Sequence, residues 1–181
     1  MDLSLQYQPT PNPNALRFLS ARTFKQEGKA TFYKTTQCAD VPLAAALLAI
    51  DGVAQVHFFE NALTVTKESR VDWSSVIREV DRVVRESLES HDPVFDAPDD
   101  GPVVESTPEL EKIESILDMY VRPALQGDGG DVQVLGLEGN VLKVHYEGAC
   151  GSCPSATSGT LMAIERMLKS EYSPEIQVVP V

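Results

Sequence analysis

One stretch limits the architecture more than any other: ESHDPVFDAPDDGPVVESTPE, residues 89 to 109, carries seven acids, four prolines and no base. Such a segment buries too little apolar area to offset the entropy of ordering it, and its prolines can neither continue a helix nor donate to a sheet ladder. The chain is therefore expected to divide into an N-terminal domain (1–88), an acidic Pro-containing linker (89–106) and a C-terminal domain (107–181). Charge divides at the same place. Residues 1–88 carry ten bases against ten acids, whereas 110–181 carry five bases against ten acids.

The net charge of −12 argues against a nucleic-acid partner, because phosphate binding needs clustered Lys and Arg. No apolar run approaches the roughly 20 residues needed to cross a bilayer, so no membrane partner is expected. The start, MDLSLQYQPT, has neither a basic apolar leader nor an Arg-rich amphipathic stretch, and the expectation is a cytoplasmic protein. Hydrophobic residues at 43% and charged residues at 23% suit folded, globular domains.

In the N-terminal part LSLQY, ALRFLS and ATFYKT read as short strands, the first two separated by the stiff turn PTPNPN. A helix is expected over 40–50, capped by Asp40, with Pro42 early and Gly52 just past its end. VAQVHFF and ALTVTK form a hairpin across Glu60 and Asn61. A second helix opens at Asp72 and buries Val76, Ile77, Val80, Val83, Val84 and Leu88 at three-and-four spacing, with core packing the plainer role for Trp73.

After the linker, Thr107 and Pro108 suit the N-cap and first position of a helix that must end near Arg122, ahead of Pro123. The turn GDGGD leads into VQVLGL and VLKVHYEG, whose Leu142, Val144 and Tyr146 share a face. A helix over 154–169 and a last strand, EIQVVPV, complete the order α-β-β-α-β. The fold class is thus α+β: an N-terminal mixed strand and helix layer domain and a C-terminal α-β-β-α-β domain joined by an acidic linker.

Three cysteines, an odd number, do not suggest a disulfide framework in a reducing compartment. Two of them, Cys150 and Cys153, stand in GACGSCPSAT between a strand and a helix. The unpaired N–H groups and dipole of a helix start favour thiolates there. Several chemistries fit: a thioredoxin-like thiol-disulfide oxidoreductase, although the expected βαβ unit is missing upstream; a dimer-bridging structural zinc, with His145 as a conceivable further ligand; cysteines that only pack; or an iron-sulfur cluster that takes two thiolates from each of two chains.

VRPALQGDGGDVQVLGLEGNVLKVHYEGACGSCPSATSGTLMAIERMLKSEYSPEI resembles the C-terminal domain of NifU and the Nfu-type iron-sulfur scaffold proteins. QPTPNPNALRF, FYKTT, LAAALLAIDGVAQVHFFENALTVTK and Asp72-Trp73 resemble the Nfu N-terminal domain. The resemblance implies a non-enzymatic scaffold or carrier that holds a 4Fe-4S cluster, with 2Fe-2S as the second option. Cys150 and Cys153 of two subunits would be its ligands. The implied partners are a second copy in the cluster-loaded homodimer, apo iron-sulfur client proteins and an upstream assembly scaffold. No counterpart of NifU's assembly and ferredoxin-like domains is found in the chain, which favours carriage over assembly.

The adjacent glycines of GDGGD are expected to serve positive φ in a tight turn, with Asp128 and Asp131 capping local backbone. PTPNPN reads as a rigid turn, Cys38 as an incidental thiol and His145 as an exposed residue beside Lys143 and Glu147. His57 and His91 carry no signal.

Overall fold

The computed structural model describes residues 5–33, 38, 40–97, 106–151 and 154–181; of residues 154–158 only the backbone is described. The fold is α+β, with two sheets and five helices among the described residues.

The first sheet contains β1 (Gln6–Pro9), β2 (Ala15–Leu19), β3 (Lys29–Tyr33), β4 (Val53–Phe59) and β5 (Ala62–Lys67). Its order is β1-β2-β5-β4-β3, and every neighbouring pair is antiparallel. The β4–β5 hairpin turns at Glu60 and Asn61, with Glu60 at φ 49°, as hairpin geometry requires. Helices α1 (Pro42–Leu48) and α2 (Trp73–Ser87) cover one face. Phe18, Phe32, Val56, Phe58, Leu63 and Val65 meet Leu43, Leu47, Val76, Val80 and Val84 there. Each large side chain fully buried in this way contributes about 1.5–3 kcal/mol.

Two expected caps differ. The N-cap of α1 is Val41, with no side-chain cap bond, so Asp40 lies one residue too early and Pro42 opens the helix unaided. Asp72 is the N-cap residue of α2, yet its side chain accepts no cap bond. The start of the presumed linker is also less free than its composition suggests. Phe95 packs on the N-terminal core, His91 stacks on Phe58, and Gln26 donates its N–H to the Pro93 carbonyl. Two aromatic rings supply enough apolar area to hold this acidic segment down.

The second sheet has the order β6-β7-β8, from β6 (Gly130–Glu138), β7 (Val141–Gly148) and β8 (Gln177–Pro180). β6 and β7 are antiparallel with a bulge between Val134 and Gly136; β8 runs parallel to β7, which requires α5 (Pro154–Glu171) as the crossover. Helix α3 (Pro108–Tyr120) starts as expected, Thr107 Oγ1 accepting from the Leu110 N–H at 3.3 Å. Past it, Arg122 and Pro123 open a further short helix, α4 (Arg122–Gly127), because proline suits a first turn as well as it stops a preceding one. Leu142, Val144 and Tyr146 share a separate core with Ile113, Leu117, Ile164 and Leu168.

The two sheets meet through the faces turned away from their helices. Register places Arg17, Thr64, His57 and Thr31 in one row across β2, β5, β4 and β3. Arg17 Nη1 donates to the Gly127 carbonyl at 3.0 Å, Thr31 Oγ1 to Glu147 Oε1 at 3.1 Å, and Tyr33 Oη pairs with His145 Nε2 at 3.2 Å. Thr64, Thr66, Gln55 and His57, which strand alternation alone would leave in solvent, are consequently buried. Among the described residues no helix is long and apolar enough to cross a membrane.

Candidate functional site

Backbone contacts between two glycine turns build the cysteine loop. β7 ends at Gly148 with φ +62°, where a β-carbon would come 2.5 Å from the Gly129 oxygen. The chain then reverses, Gly151 N–H donating to the Gly148 carbonyl and Ala149 N–H to that of Gly129. This lays Cys150 on Gly130, whose absent β-carbon would sit 2.6 Å from the sulfur. Gly129, at φ +81°, serves the turn as expected. Gly130 does not; it is needed because Cys150 approaches the backbone too closely for any side chain.

Cys150 is 7% exposed and packs with the C-terminal core. Tyr146, also buried, has its hydroxyl pKa pushed up, first by burial and then by the charge of Cys150. After Cys150 the loop runs toward the start of α5, where helix N–H groups favour negative charge. Cys153, the second expected ligand, lies outside the described residues, as does Ser152.

The electrostatics beside this loop were not legible in the motif. Asp131, 1% exposed, accepts from Val132 N–H at 2.6 Å and from Gln126 Nε2 at 3.2 Å, and is paired with Lys29 at 3.3 Å and Arg122 at 3.5 Å. Lys29 also reaches Glu147 at 2.5 Å and the Val132 carbonyl at 3.2 Å. An anchored carboxylate thus fixes the turn on which Cys150 rests, and one of its cations comes from the other sheet. Asp128 is instead the C-cap residue of α4. Arg122 two turns of chain before GDGGD was the available signal, since a lone buried Asp needs a cation.

His57 Nδ1 lies 2.8 Å from Thr31 Oγ1. Because the one Thr31 proton is directed to Glu147, Nδ1 is the donor and Nε2 the bare nitrogen. Burial, opposed by Glu147 and assisted by Lys29, lowers the His57 pKa to about 4. His145 is no exposed bystander: Nδ1 meets the Val181 carbonyl at 3.0 Å and Nε2 meets Tyr33, so both ring nitrogens are engaged away from Cys150. Among the described residues no three His, Cys, Asp or Glu side chains converge on a metal position.

The PTPNPN turn is held internally by Thr10 and Asn12 and from outside by Trp73, whose Nε1 donates to the Pro13 carbonyl at 2.9 Å. It also reaches the cysteine loop. Asn12 Nδ2 donates to the Ala149 carbonyl at 2.9 Å, and Pro11 and Asn12 face Cys150 and Thr160 across a cleft of about 240 Å³.

Residues 113–179, containing this loop, match the NifU-like domain, and residues 5–91 match the domain described as scaffold protein Nfu/NifU N terminal. The chain belongs to the Nfu/NifU family. It is 33% identical over 183 residues to NifU-like protein 4, mitochondrial, of Arabidopsis thaliana, with 97% of this chain and 64% of that protein covered. It is 32% identical to the NFU1 iron-sulfur cluster scaffold homolog, mitochondrial, of Drosophila ananassae, covering 98% and 64%. The chain thus spans slightly less than two thirds of the length of these curated relatives. Among solved structures, a NifU-like protein from Saccharomyces cerevisiae aligns with a TM-score of 0.46 at 25% identity, over 49% of this chain and 80% of that one. The expectation of a cytoplasmic protein is overturned, since Nfu relatives aligned along nearly the whole chain are named mitochondrial. A folded domain's composition does not encode its address, which separate receptors read.

Proposed function

We propose that this chain carries an iron-sulfur cluster as cargo, of the 4Fe-4S type, between the Cys150 and Cys153 pairs of two subunits, and passes it to apo-proteins. The observation that carries the reading is the seating of Cys150: a thiol held on bare backbone by Gly130, in a strand-to-helix loop inside the NifU-like match. That seat fixes one ligand while leaving small residues around it, as a bulky inorganic group requires. Such a cluster takes four thiolates, and the C-terminal part of one chain has two. Shared ligation also makes release simple, because separating the subunits halves the coordination.

On this reading residues 107–181 hold the cargo, 1–88 form an accessory domain on which residues 91–95 also pack, and the rest of 89–106 tethers the two. Separate hydrophobic cores and separate family matches support that division. The protein turns over no substrate, and an upstream assembly scaffold supplies the cluster.

Anaerobic reconstitution tests the proposal. A 4Fe-4S carrier gains broad visible absorbance, about four iron and four sulfide per dimer, and loses both in Cys150→Ser or Cys153→Ser. A loaded species that remains a monomer, a stoichiometric zinc content, or catalytic disulfide reduction by the colourless protein would overturn it.

A further inference from the structure

The contact between the two domains is unlike either core. Lys29, Thr31 and His57 face Asp131 and Glu147, Arg17 faces Gly127, and these bonds are polar or ionic. Arg17 Nε, Gln55 Nε2, His57 Nε2 and Thr66 Oγ1, all buried on this side of the N-terminal sheet, find no partner among the described residues. A contact built from polar and ionic bonds, and not from a shared apolar core, suits a face that closes and reopens.

This same contact lies over the cysteine loop. Asn12 is bonded to the residue before Cys150, and with Pro11 it forms one wall of the cleft onto which Cys150 opens. A metal group reaching this thiol through the cleft from a second subunit would meet Pro11 and Asn12. From Ala97 to Ser106 there are nine residue steps, enough to reach about 30 Å when extended, so the chain itself permits withdrawal.

We propose that the N-terminal domain is a releasable cover for Cys150. In the metal-free chain it docks on the face that a second copy occupies in the cluster-bridged dimer, so docking and bridging exclude one another. The identity of the second occupant rests on the carrier reading, in which one chain leaves the cluster half coordinated; the cover itself rests on the geometry.

The test uses the full chain. In a Cys38→Ser, Cys153→Ser background without metal, alkylation by iodoacetamide reports Cys150 alone. Lys29→Glu adds a third acid beside Asp131 and Glu147 and should raise the rate about ten-fold by repelling the docked face. Exchanging the pair, Lys29→Glu with Glu147→Lys, should return it to the parent rate, which a misfolded variant could not do. Asn12→Ala gives a smaller rise in the same direction. Separately, with all cysteines present, a zero-length carbodiimide crosslink between Lys29 and Glu147 should form in the metal-free chain and fall several-fold in the loaded dimer. Alkylation within two-fold of the parent in both Lys29→Glu and Asn12→Ala, or a loaded dimer that keeps the crosslink, would overturn the proposal. Because alkylation is read without metal, a chain that never takes up a cluster would sink the carrier reading and leave the cover to be judged by these rates.

Discussion

A β-carbon on Gly130 would stand 2.6 Å from the sulfur of Cys150, 2.9 Å from the Glu147 carbonyl oxygen and 3.0 Å from the Cys150 nitrogen. Two of these three atoms are backbone, so neither can rotate aside. Gly130→Ala should therefore destabilise the C-terminal domain by about 1–3 kcal/mol, as overpacking does, and shorten the lifetime of a reconstituted cluster. Urea unfolding and decay of visible absorbance measure the two effects. An unchanged midpoint with an unchanged lifetime would show that the loop tolerates the displacement.

Lys29 is the cation shared by Asp131 and Glu147, and both carboxylates are largely buried. Removing its charge while keeping the stem, as in Lys29→Met, leaves Glu147 without its cation and Asp131 with Arg122 alone. The docked form should lose about 1–3 kcal/mol, the cost of stranding a buried polar group. Hydrogen exchange at β3 and β4 amides should speed up to match, while exchange in α5 stays the same.

His57 makes docking sensitive to acid. Its pKa is about 4 when docked and 6.5 in its ordinary state, so the docked form binds fewer protons than the released one. The stability that neutral His57 lends to docking is present above pH 6.5 and disappears as pH falls toward 4. Between pH 7 and 5.5 the released fraction should rise about eight-fold relative to the docked form through His57 alone, whose ring is faced by Glu147, Lys29 and Asp131. Small-angle scattering from the metal-free chain should show the radius growing over that range. His57→Gln, which cannot take the proton, should flatten the response.

Thr107 accepts from the Leu110 N–H at the start of α3. Thr107→Ala should cost about 1 kcal/mol and move the urea midpoint of the C-terminal core. Docking should be unaffected, which separates this variant from Lys29→Met.

Sequence reading worked wherever a single element has one apolar side. The stripe Val76, Val80, Val83 and Val84 of α2, the inward residues of β7 and the β4–β5 hairpin all appear as expected because periodicity and turn chemistry act over a few residues. Helix ends were less legible. Asp40 and Asp72 are of the right type and near the right place, but whether a carboxylate turns back to cap depends on φ and ψ set by the preceding loop.

By itself the sequence determined the order of helices and strands apart from α4, the family, and the turn glycine Gly129, since these follow from local spacing, motif residues and positive φ. Only the tertiary structure decided that Thr31, His57, Thr64 and Arg17 form one row, that this row is covered by Glu147, Gly129 and Gly127, that Gly130 seats Cys150, and that Asn12 stands beside the cysteine loop. A polar strand face reads as solvent-facing in any one strand. Its burial here comes from pairing between residues more than a hundred positions apart, and no local pattern carries that contact.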